Sequence, residues 1–185
     1  MPGKNLVTPV STLIPKRASE AARPRFPLNE MAGFMSRLVL VLRHPQLKSL
    51  YDYWLGLCGD ETPPMADDVD PADLRPWMGH LVVIAVEPDP AGSMASYTYS
   101  FYSKFFAGRF GDDKAGQSVD MLPDGARDII RAEYDRVVSE HIPVSRVYTA
   151  DFDGLTQTWE RLVLPLFNID GAVDKLLVAA YELPR

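Results

Sequence analysis

Residues 96–122 read SYTYSFYSKFFAGRFGDDKAGQSVDML, and this stretch decides how the rest of the chain is read. Tyr97, Tyr99 and Phe101 alternate with small polar residues, the period of two of a half-buried strand. The pattern then changes. Phe105, Phe106 and Phe110 fall at helical spacing, and Gly111 is placed to end that short helix in a left-handed turn. Gly116 marks a second turn, and Val119, Met121 and Leu122 return to apolar surface. A strand that breaks into short helices around glycines leaves a concavity over a sheet. Small-molecule sites are concave and apolar with a few polar groups, and this stretch offers both kinds.

Upstream, Leu81–Val86 is a β-branched run that reads as a strand buried on both faces. The turn residues 87–92 join it to the strand at Ser96 as a hairpin. Downstream, 124–141 is the clearest helix, with Ile129, Ile130, Tyr134, Val137 and Val138 on its apolar side and Pro143 as its stop. Three strands close the chain, 144–152, 155–167 and 174–183, joined at Asp153-Gly154 and at 168–171. The expected fold class is α+β, a five-stranded antiparallel sheet with short helices over one face and N-terminal flanking helices.

Further out, Pro45 starts a helix running to about Leu57. Before it, 29–42 reads as a helix with Met31, Phe34, Met35, Leu38 and Leu42 in one apolar stripe. Met31, Phe34, Met35 and Leu38, with Leu47 and Trp54, are expected to meet a second copy of the chain, because a large uncovered apolar stripe is rare on a monomer. Six acids between Asp60 and Asp73 lack the glycine and glutamate spacing of a calcium loop. Asp70 and Pro71 instead read as the cap and first residue of a short helix. Residues 1–28 form a basic, proline-rich tail expected to be flexible, 29–45 an N-terminal helix, and 46–185 the domain.

The chain has 185 residues, 46% of them apolar, which suits one domain of ordinary size plus extensions. Its net charge is −6, and the first thirty residues carry +3 of opposite sign. That balance argues against a nucleic-acid binder. A single cysteine, Cys58, excludes an internal disulfide framework and fits a reducing cytoplasm. No apolar run is long enough to span a bilayer.

The element order resembles a PAS domain. Leu164-Pro165-Leu166, Asp170-Gly171, Val173-Asp174 and Leu176-Leu177 resemble the closing hairpin of the PAS_5 family, small stand-alone bacterial proteins of alphaproteobacterial type. Asp70, Pro71, Asp73 and Leu74, the strand 81–86 and the Gly111…Gly116 spacing are similar to it too. The resemblance covers about 46–183 and its motifs are packing and turn motifs. It implies a cytoplasmic sensory domain that binds a small ligand and acts through a signalling-protein partner. This chain departs from the family at Ser100, where an arginine is common, and at Ser103-Lys104, where Gly-Thr is common.

Tyr97, Tyr99, Phe101, Phe105, Phe106, Tyr148, Trp159 and Arg161 are the candidate ligand-binding residues. Each has a plain alternative as core packing. Arg161 sits mid-strand, where it either holds a carboxylate in a pocket, pairs with a neighbouring acid or points to solvent. His44, His80 and His141 sit at element edges without a second ligand at metal spacing. Haem and flavin are not expected, and neither is a metal. Gly111–Ser118 lacks the lysine and the preceding strand of a phosphate loop, so it reads as a turn. No hydrolase or zinc motif occurs, and the chain is read as a non-enzyme. Two rivals remain: a ligand-free interaction and dimerisation module with a filled core, and an enzyme of the cone-shaped α+β class.

Overall fold

The computed structural model describes residues 41–59, 62–88, 95–152 and 154–184. Met31, Phe34, Met35 and Leu38, the expected tail and nearly all of the expected 29–42 helix lie outside the described residues. Eight elements follow in order: α1 (Pro45–Gly56), β1 (Leu81–Glu87), β2 (Ser96–Tyr102), α2 (Lys104–Phe110), α3 (Asp124–Glu140), β3 (Val144–Phe152), β4 (Leu155–Phe167) and β5 (Val173–Glu182). The strands form one antiparallel sheet in the order β2-β1-β5-β4-β3. This is the PAS-like α+β architecture that the sequence led us to expect.

The sheet carries a core on each face, which explains why β1 and β5 read as nearly continuous apolar runs. On the inner face Val82, Ile84, Tyr97, Tyr99, Val163 and Val178 pack with Tyr134 and Val137 of α3. On the outer face Leu162, Leu164, Leu166 and Leu177 pack under Leu47, Leu50 and Trp54 of α1. Trp54 buries its ring there and donates its indole N–H to the Pro165 carbonyl at 2.7 Å. Leu47 and Trp54 are both 0% exposed within one chain, which removes them from the expected contact with a second copy. The domain's own sheet is their partner.

Pro165 sits in a strand that has neighbours on both sides, where a missing N–H normally costs a ladder bond. It is tolerated because the last β3 partner on β4 is Val163, paired with Val144, so Pro165 lies past the end of β3. The expected short helix at Asp70 is instead a run of turns that ends in a 3-10 turn, Met78–His80. Asp70 still does the capping, since its carboxylate accepts from Ala72 N–H at 2.8 Å.

β2 contains the departure that matters most. Ile84 pairs with Tyr99 but Val83 pairs with Phe101, so Ser100 is an extra residue in a β-bulge. Its hydroxyl donates to the Val83 carbonyl at 3.0 Å. One inserted residue reverses the alternation. Phe101 therefore packs with the outer core, and Tyr102 takes the inner face. The simple period-two reading of Tyr97, Tyr99 and Phe101 holds only as far as the bulge.

Candidate functional site

The inner face of the sheet and the helices α2 and α3 line a half-open cavity of about 380 Å³. That lies at the lower end of the range of small-molecule sites, about 300–1,000 Å³. Its floor is Val82, Val178 and Ala180, residues of the sheet's middle strands. Phe106 and Phe110 of α2 form one wall. Ile130 and Tyr134 of α3 form another, with Leu122 and Pro123 before the helix. Tyr99, Tyr102, Tyr134, Tyr148, Lys114 and Arg161 supply the polar atoms.

Local sequence explains how these walls stand. Ser103 N-caps α2 by accepting from Phe106 N–H at 3.3 Å, and Gly111 closes the helix at φ 98°, a left-handed value that a side chain would strain. The loop that follows turns back on the edge of β2. Gly116 N–H donates to Tyr99 O at 2.7 Å, and Tyr99 N–H donates to Gln117 O at 3.0 Å. One backbone donor and one backbone acceptor of this loop thus cover a strand edge. Lys114 is carried by this loop to the cavity wall.

Arg161 projects from β4 onto the inner face. Its Nε and Nη2 donate to Glu133 Oε2 at 2.9 and 2.6 Å. Arg146 of β3 donates to the other oxygen, Glu133 Oε1, at 3.0 Å. Glu133 is buried in α3 and so serves two arginines. Burial alone would pull the Arg161 pKa down, and the Glu133 carboxylate reverses this and leaves it raised. The guanidinium also lies 5.2 Å from the Tyr148 ring centroid. Burial pushes the Tyr99 phenol up to about 12, against a counter-pull from Arg161. Tyr102, Tyr134 and Tyr148 are raised by burial as well. All four phenols are therefore neutral donors at neutral pH.

Of the eight residues that the sequence nominated, Tyr99, Phe106, Tyr148 and Arg161 line the cavity together. Phe101 does not, because the bulge turns it to the outer core. Tyr97 is fully buried and donates its hydroxyl to Asp135 Oδ1 at 2.6 Å, which ties β2 to α3 behind the cavity. Trp159 is buried in the inner core, and Phe105 stands half-exposed against His80, with ring centroids 4.2 Å apart. Sequence reasoning missed Tyr102, Phe110, Lys114, Ile130 and Tyr134. Phe110 and Tyr134 carried helical-face signals and could have been found, whereas Tyr102 and Lys114 depend on the bulge and the returning loop.

No histidine and no carboxylate is among the described lining residues. His44 caps α1, accepting from Gln46 N–H at 3.2 Å, and His141 ends α3 at φ 60°. Burial pushes the Cys58 thiol up to about 11, which removes it as a ready nucleophile. Among the described residues no cluster of three or more possible ligands could hold a metal ion, and no helix is long and apolar enough to cross a membrane.

Residues 106–184 match the PAS fold family, from the Phe106 wall of the cavity to the end of the sheet. Solved structures similar to this chain include a sensory box sensor histidine kinase from Vibrio cholerae. It is 12% identical, with 76% of this chain and 99% of that chain covered and a TM-score of 0.46. The PAS domain of BvgS from Bordetella pertussis is 12% identical, with coverages of 62% and 83% and a TM-score of 0.49. A PAS domain from Colwellia psychrerythraea is 17% identical, with coverages of 62% and 98% and a TM-score of 0.39. No curated protein matches the sequence.

Proposed function

We propose that this chain is a sensory domain of PAS type that binds a small, flat, largely apolar molecule between the sheet and helices α2 and α3, and passes the signal to a protein partner. The observation that carries this reading is the cavity of about 380 Å³, with aromatic walls and few polar groups. A ligand-free interaction module would fill that space with side chains. An enzyme of the cone-shaped class would place an acid–histidine pair inside it, and the described lining residues include neither type. The PAS_5 subtype remains our reading of the closing hairpin. A second copy is the default partner, engaged through Met31, Phe34, Met35 and Leu38.

Native mass spectrometry of the chain purified from its own cells tests the reading. The expected result is a mass above that of the 20.6 kDa polypeptide, lost on denaturation. Ala180→Leu places extra methyl groups on the cavity floor, and should abolish the added mass while the fold is kept. Ala126→Leu at the mouth is the alternative should the floor prove too tight. A bare polypeptide with no small-molecule adduct would favour the ligand-free module.

A further inference from the structure

The polar groups of the cavity are unequal, and the inequality names a ligand class. Arg161 was the cation that the sequence offered to an acidic ligand. In the structure its charge already faces Glu133, through Nε and Nη2. Lys114 is different. It lines the same cavity, and no carboxylate among the described residues pairs with its ammonium. The adjacent Asp113 is exposed, does not line the cavity, and accepts from Ala115 N–H at 2.9 Å. The hydroxyls of Tyr99, Tyr102, Tyr134 and Tyr148 make no hydrogen bond to another described residue. Those four phenols and two cations are the polar side chains among the described lining residues, which therefore offer donors in excess and no carboxylate.

An amine or other cation would find no carboxylate among the described lining residues and would meet the ammonium of Lys114, although the charge of Asp113 reaches the Tyr102 phenol from outside the lining. A neutral arene would fit the walls but leave the half-exposed Lys114 without a partner inside the cavity. A planar anion satisfies both halves. Its ring lies against Phe106, Tyr102 and Tyr148, where aromatic faces and edges pair well. Its carboxylate meets Lys114 and accepts from phenol hydroxyls.

We propose that the ligand is a small aromatic or conjugated carboxylate, with its anionic group on Lys114 and not on Arg161, whose role is to hold Glu133 and the cavity wall. This rests on the sensory reading above and specifies its ligand.

The probes are naphthoate, its neutral isostere naphthamide, and the aliphatic acid octanoate, titrated calorimetrically into the full chain. Benzoate and benzamide repeat the comparison at smaller size. The expected result is that the aromatic carboxylate binds at least about tenfold more tightly than its amide, a difference of about 1.4 kcal/mol. Its affinity should also fall as salt rises. Lys114→Met should erase that preference by weakening the carboxylate alone, while the amide keeps its affinity. Lys114 is a loop residue that bonds the other described residues only through its backbone carbonyl, so this variant should fold. Equal binding of acid and amide, or a preference unchanged by Lys114→Met, would overturn the anion assignment and leave the cavity reading standing. Octanoate binding as tightly as naphthoate would overturn the planar part. If no aromatic probe of either size binds, the cavity reading and this inference fall together.

Discussion

His44 and His80 both stack on Tyr181, with ring centroids 4.4 and 4.3 Å apart. His80 also lies 4.2 Å from Phe105 of α2, at the side of the cavity wall. Burial lowers the His44 pKa below the ordinary 6.5, with Glu160 pulling it partly back. Burial, and then the nearby His44, lower that of His80, and burial lowers that of His141. The folded state therefore prefers neutral imidazoles. Below the unfolded value of 6.5 the unfolded chain takes up protons that the folded chain resists, so stability falls as pH drops through that value. It levels off below the lowered folded-state values. Protonation would also strip His44 Nδ1 of its acceptor role toward Gln46 N–H. The urea midpoint should therefore fall between about pH 7.5 and about pH 5.5, and less so in a His44→Gln, His80→Gln variant. A slope identical in the two proteins would show that these histidines are not its source.

At the scale of elements, the junction between α1 and the sheet depends on Glu160. This carboxylate is 1% exposed on the outer face of β4. It accepts from Arg43 N–H at 3.0 Å on each oxygen and from His44 N–H at 2.7 Å. These are donors at the start of a helix, where no intrahelical acceptor exists. Glu160→Ala removes the charged acceptor of these part-buried donors, at a cost of about 1.5–3 kcal/mol. Hydrogen exchange at Arg43 and His44 should accelerate and the unfolding midpoint should drop. Glu160→Gln keeps one acceptor oxygen and should show a smaller effect. Unchanged exchange at these two amides in Glu160→Ala would refute the anchoring role. Because His44 joins this anchor to the Tyr181 stack, the entry of α1 and the α2 wall of the cavity share one chain of contacts.

For the whole molecule, the proposed assembly would turn on residues 31–38, which precede the described ones. The Met31, Phe34, Met35 and Leu38 stripe is argued from its spacing alone. The wild-type chain should sediment as a dimer, and Phe34→Glu with Leu38→Glu as a folded monomer. A wild-type monomer at high concentration would end that proposal. The change should not disturb the outer core, since Leu47 and Trp54 are satisfied by β4 and β5 within one chain.

Strand and helix periods are properties of neighbouring residues, and the sequence alone was sufficient for them. The limits 144–152 and 155–167 of β3 and β4 follow from alternation bounded by Asp153-Gly154. The extent of α3 follows from its stripe, and the end of α2 from Gly111. With the closing hairpin these were enough for a PAS-like sheet and for a cavity beside residues 105–122. Tertiary structure decided which faces meet. A bulge at Ser100 carries no strong local signal, yet it exchanges Phe101 for Tyr102 in the cavity. The pairing of Arg161 with Glu133 spans 28 residues and depends on how α3 lies across the sheet. Lys114 reaches the cavity only because its loop bonds back to the edge of β2. Each of these contacts joins elements distant in sequence, and local residue spacing holds no information about the register and packing that bring them together.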